Sequence, residues 1–98
     1  MTEGEYLGRL ASLGCIACRL LYDDYEPPDP SLQMTVIHHP RTGQGKAQRA
    51  SNWLAIPLCV MHHTGKDGVH SNGNRIPAIK MDELELLAHT IRIYHEQY

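Results

Sequence analysis

With 98 residues, 42% of them hydrophobic and 20% charged, the chain reads as one domain, burying roughly 60 to 70% of its unfolded surface and small enough to gain from a staple. No apolar run approaches the roughly 18 residues of a membrane span and no charged-then-apolar leader opens the chain, so neither span nor signal peptide is expected and the cytosol is the expected location. The net charge of −2 argues against a nucleic-acid partner only on average. Residues 1 to 37 set Arg9 and Arg19 against six acids, and residues 81 to 98 set Arg92 against four. Residues 38 to 80 set Arg41, Lys46, Arg49, Lys66, Arg75 and Lys80 against Asp67 alone. That basic middle also holds four of the seven histidines between His38 and His63, and the coincidence points to a phosphate-bearing substrate.

Thr2-Glu3-Gly4-Glu5 has the form of a capping box. Tyr6, Leu7, Leu10 and Leu13 recur behind it at helical spacing until Gly14, which predicts an amphipathic helix over residues 3 to 13. Cys15-Ile16-Ala17-Cys18 follows as a knuckle whose two-residue gap lets both thiolates converge on one ion. Arg19 to Tyr22 can continue as a turn of helix or as a strand. From Asp23 to Ser31, acids mixed with three prolines exclude regular structure and predict an exposed loop.

Leu32 to His39 is the first strand candidate, ended by Pro40, so the neighbours His38 and His39 face opposite ways. Residues 40 to 50 form a basic, glycine-containing loop. Trp53 to Ile56 is expected to be the second strand, antiparallel to the first and closed by Pro57, with Trp53 in the core. Leu58 to Thr64 has room for a short helix carrying Cys59, His62 and His63, which Gly65 would terminate. Gly65 to Asn74 must be turn-rich and carries His70. Asp82-x-x-Glu85 then caps a helix with Leu84, Leu87, Ile91 and Tyr94 as its apolar stripe, leaving His89 and His95 without a role.

Cys15-x-x-Cys18 followed at a distance by Cys59-x-x-His62 supplies four soft ligands, suited to zinc in a closed tetrahedral site. Such an ion contributes folding energy and no chemistry. Three cysteines is an odd number and a Cys15–Cys18 bridge would close a very tight loop, so a disulfide framework is a poor alternative. His38, His39, His63 and His70 are in excess of this site.

In combination, His38-His39, Asn52 and Leu58-Cys59-Val60-Met61-His62-His63 resemble the signature of the ββα-metal (HNH, or His-Me finger) nuclease superfamily. Leu13-Gly14-Cys15-Ile16-Ala17-Cys18, Ile37-His38-His39, Ile56-Pro57-Leu58-Cys59, His62-His63-Thr64-Gly65 and Gly68-Val69-His70 resemble more closely the bacteriophage recombination-enhancement, RecA-dependent (Ref-type) nucleases. The resemblance covers about residues 6 to 95.

It implies a small α+β, zinc-stapled domain spanning 1–98 with an HNH core, in which a two-stranded antiparallel hairpin and a short helix are flanked by amino- and carboxy-terminal helices. It further implies His38, His63 and His70 as ligands of a second divalent ion (zinc, magnesium or manganese), with Asp67 as the alternative last ligand. His39 would be the general base and Asn52 would hold it in place, while Arg41, Lys46, Arg49 and Lys66 would counter DNA phosphates. The implied activity is DNA phosphodiester hydrolysis in phage or prophage recombination, with a RecA filament on single-stranded DNA as partner. A non-catalytic zinc module that binds nucleic acid or protein through the same fold is the competing expectation.

Overall fold

A computed structural model describes residues 1–45 and 48–98. Helix α1 (Glu3–Ser12) starts at Thr2, whose hydroxyl accepts the Glu5 N–H at 3.1 Å, and buries Tyr6 and Leu10 one helical repeat apart. Gly14 ends this segment at φ 75°. Its left-handed turn brings the backbone against the loop that follows α2, where an added Cβ would meet the Tyr25 hydroxyl and lie 2.9 Å from Pro27 Cβ. Gly14→Ala therefore combines left-handed strain with overlap, and we expect a loss of about 2 kcal/mol or more in denaturant unfolding. An unchanged midpoint would show that the turn relaxes freely.

Helix α2 (Ile16–Leu21) resolves the open choice after the knuckle, with Cys15 as its N-cap and the Cys15 sulfur accepting the Cys18 N–H at 3.4 Å. The proline-rich stretch is not wholly irregular. Pro30–Leu32 forms a 3-10 turn capped by Asp29, and proline suits its first position because the missing N–H would have had no partner. Tyr25 is half-buried, its hydroxyl accepting the Cys15 N–H at 2.9 Å.

Strand β1 (Thr35–His38) pairs antiparallel with β2 (Ile56–Cys59), Thr35 opposite Cys59 and His38 opposite Ile56. The expected second strand is thus displaced. Ser51 caps a 3-10 turn over Asn52–Leu54, and Pro57 lies within β2 rather than closing it. In a two-stranded ladder each strand is an edge strand, where a missing N–H is tolerated. Trp53 is correspondingly not core: it is 41% exposed and packs one face on Tyr6, ring centroids 4.9 Å apart. β2 runs straight into the one-turn helix α3 (Val60–His63).

A second hairpin, β3 (Arg75–Ile76) with β4 (Met81–Asp82), had no sequence signal, since two-residue strands show no alternation. Helix α4 (Glu83–Gln97) has the expected capping box, with both reciprocal bonds between Asp82 and Glu85. Its buried face, however, is Glu83, Leu86, Thr90, Ile93 and Tyr94, while Leu84 is 56% and Ile91 40% exposed. Two polar residues disguise this face. Thr90 is tolerated there because its hydroxyl donates to the Leu86 carbonyl at 2.8 Å.

One core unites both ends of the chain, with Leu10, Ile16, Ile56, Leu58, Val69, Ile76 and Leu86 fully enclosed. The architecture is α+β, with helices around two small antiparallel hairpins. Among the described residues no helix is long and apolar enough to cross a membrane.

Candidate metal centre and adjoining histidine cluster

The two-residue gaps read from the sequence place four donors around one point. Cys15 and Cys18 come from the start of α2, Cys59 from the end of β2, and His62 from α3. His62 Nδ1 lies 3.5 Å from Cys15 Sγ, 3.5 Å from Cys18 Sγ and 3.3 Å from Cys59 Sγ, while Cys18 and Cys59 Sγ are 3.9 Å apart. One ring nitrogen cannot hydrogen-bond three sulfurs at once. Zinc–sulfur bonds of about 2.3 Å and zinc–nitrogen bonds of about 2.0 Å set tetrahedral edges of roughly 3.8 Å (S···S) and roughly 3.5 Å (S···N). The donor set therefore fits a structural metal such as zinc in size as well as in chemistry.

Burial pushes the Cys15 and Cys18 thiols up, and charge on Cys59 raises both further. Burial pulls His62 down, keeping the imidazole neutral. Coordination to a divalent cation would supply the opposing charge that lets such thiols ionise, so a metal bound here would be coupled to folding.

On the other side of His62, α3 ends with His63. One ring nitrogen from each of His38, His63 and His70 lies within 4.8 Å of the other two, with His63 Nε2 3.0 Å from His70 Nε2. His38 closes β1 and is buried, His63 is half-buried, and His70 stands exposed on the 3-10 turn Val69–Ser71. Gly68 permits this approach, since a Cβ there would lie 2.8 Å from the His62 and His63 backbone carbons. Asn72 fixes the turn through bonds of 2.9 and 2.8 Å from its amide to the Lys66 and Gly68 carbonyls. Burial lowers both His38 and His63; the Glu83 carboxylate opposes this at His38 without reversing it, and the histidine neighbours of each add to the lowering. Asp67, the alternative last ligand, is exposed and outside this group.

Sequence reasoning missed Glu83. Its side chain is buried at the first turn of α4, with Oε2 on His38 Nε2. Oε1 accepts the Arg41 N–H at 2.8 Å, the Thr42 N–H at 2.9 Å and the Thr42 hydroxyl at 2.8 Å. Burial by itself would raise this carboxyl, but these donors hold it below its ordinary value. The only sequence trace was a third acid at 83 between the two that the capping box uses.

His39, facing away from His38, has its Nε2 2.8 Å from Asn52 Oδ1. With Asn52 accepting, the proton sits on Nε2 and Nδ1 is bare. Of the basic candidates, Arg49 and Lys66 are exposed, Arg41 is exposed and donates from Nη1 to the Gln48 carbonyl at 2.9 Å, and Lys46 lies outside the described residues. A 270 Å³ cavity lined by Ala11, Asp29, Pro30, Gln33, Met34 and Thr35 shares no residue with either cluster.

Comparison of the chain with protein-family models, with curated proteins and with solved structures found no match.

Proposed function

We propose that the protein is a metal-dependent DNA endonuclease with a ββα-metal (HNH) core, made of β1, β2 and α3 and stapled by zinc on Cys15, Cys18, Cys59 and His62. The observation that carries this reading is the division of labour at the end of β1. His38 joins His63 and His70 in a group of three imidazoles, while the next residue, His39, is turned to Asn52 and keeps a bare nitrogen.

Three neutral imidazoles form a ligand set that leaves a divalent ion open positions. An ion held there would supply positive charge to phosphate oxygens as negative charge builds on them. His38, His63 and His70 hold that position, and the exposure of His70 leaves it open to a polymer. His39 Nδ1 takes a proton from water as the water oxygen bonds to phosphorus and the bond to the 3′ oxygen breaks. Asn52 keeps the proton on His39 Nε2, so that the accepting lone pair faces away from the amide. Arg49, Lys66 and Arg41 lie exposed where they can counter backbone phosphates. The motif pattern that resembles the Ref-type nucleases makes a RecA filament on single-stranded DNA the partner to test.

The experiment is cleavage of plasmid and single-stranded DNA, with and without RecA, in magnesium, manganese or zinc. Wild-type protein should cut. His63→Ala should remain folded with one tightly bound zinc and lose both the second ion and cleavage. Wild-type protein that binds a single ion under saturating metal and never cuts would be a zinc-binding module instead.

A further inference from the structure

We infer that Glu83 is a positioning residue that sets the tautomer of His38 and so decides which of its nitrogens is offered to the histidine cluster. The inference rests on the reading of His38 as a metal ligand, and it adds a residue that the motif pattern does not contain. The two carboxylate oxygens have separate tasks. Oε1 is committed to the loop after β1 by three donors: the Arg41 N–H, the Thr42 N–H and the Thr42 hydroxyl. Among the described residues Oε2 is left to His38 Nε2 alone. A carboxylate only accepts, so His38 Nε2 must carry the proton and Nδ1 keeps the one lone pair the ring has left for a metal.

The arrangement is enclosed. Glu83 is 0% and His38 2% exposed, so water does not compete for the choice of tautomer. Glu83 opens α4 and His38 closes β1, 45 residues apart, so the contact exists only when the carboxy-terminal helix is docked. The same carboxylate ties the beginning of the basic loop to that helix. Histidine orientation, loop path and helix docking thus meet at one side chain.

Glu83→Gln separates these tasks. Three donors still require an oxygen at the Oε1 position, so the amide oxygen stays with the loop and the NH2 group is turned toward His38. Facing a donor, His38 Nε2 must become the acceptor and its proton moves to Nδ1, which closes the lone pair that a metal would use. Imidazole 15N chemical shifts, measured with only the structural zinc bound, read the tautomer directly and need no activity. Wild-type protein should show His38 protonated on Nε2, and Glu83→Gln should show it protonated on Nδ1 with cooperative unfolding retained. Zinc titrated into the second site should bind roughly 10- to 100-fold more weakly in the variant.

Wild-type His38 protonated on Nδ1, or on both nitrogens at neutral pH, overturns the inference, and so does a variant with unchanged tautomer and unchanged zinc affinity. Because the wild-type spectrum alone is decisive, a variant that fails to fold does not shelter the proposal. If the tautomer switches as expected in a protein that takes no second zinc, Glu83 keeps its role as tautomer setter while the ion reading under the proposed function falls.

Discussion

Cys18→Ser or Cys59→Ser should release the structural zinc and abolish cooperative unfolding. A hydroxyl binds zinc far less well than a thiolate, and the remaining three donors would be left crowded with no cation to hold them at tetrahedral spacing. Cys18 Sγ and Cys59 Sγ lie 3.9 Å apart and both approach His62 Nδ1, so losing either opens the site to water on one side. Structural zinc in small modules is worth on the order of 10 kcal/mol, comparable with the whole stability of about 5 to 15 kcal/mol typical of a domain. The effect should spread, because the ligands join α2, β2 and α3. Cys59 also opens α3, so the neighbouring His63 would lose its place opposite His38. Metal content by atomic absorption and a thermal melt followed by circular dichroism check this. A soluble variant with an unchanged melt would remove the staple from the account.

If the protein is the endonuclease proposed above and His39 its general base, His39→Ala should leave the fold, both metals and DNA affinity in place while cleavage drops by about 100-fold or more, the usual contribution of a positioned base. His39 is half-buried and, among the described residues, its one side-chain hydrogen-bond partner is Asn52. Removing the ring frees an amide that water can reach, so little stability is at stake. The ligand alternative predicts a different response. Were His39 a ligand, its loss would weaken metal binding and excess metal would restore the rate. Cleavage by the variant should therefore be measured across a metal titration, beside its metal content. A wild-type rate, or full rescue by added metal, would rule out the base. Asn52→Ala offers a milder companion, since freeing the His39 tautomer should slow cleavage without displacing it.

The local part of this protein was legible in its sequence. Cys15-x-x-Cys18 and Cys59-x-x-His62 bring their donors together because a two-residue gap at a helix start turns both side chains inward, whatever the rest of the fold does. The His38-His39 pair diverges because successive residues on a strand point to opposite faces. The capping box at Asp82 and the start of α1 at Thr2 are likewise decided within four residues. In each case the spacing along the chain fixes the spacing in space.

What the sequence could not determine depended on contacts between distant segments. The buried face of α4 was legible only in part: Leu87 and Tyr94 of the expected stripe do pack on the core, but Leu84 and Ile91, which satisfy a helical period as well as Leu86 and Ile93 do, are exposed. Only the docking of Glu83 against His38 and the Arg41–Thr42 backbone, with Thr90 bonded to its own helix, selects the second pair. Trp53 left the core because the chain makes a 3-10 turn before β2, and Pro57 could enter β2 because that ladder has only two strands. Glu83 is the clearest instance. A carboxylate can be buried only where donors surround it, and three of its four donors belong to a loop more than 40 residues away, so its place was decided by the folded chain as a whole.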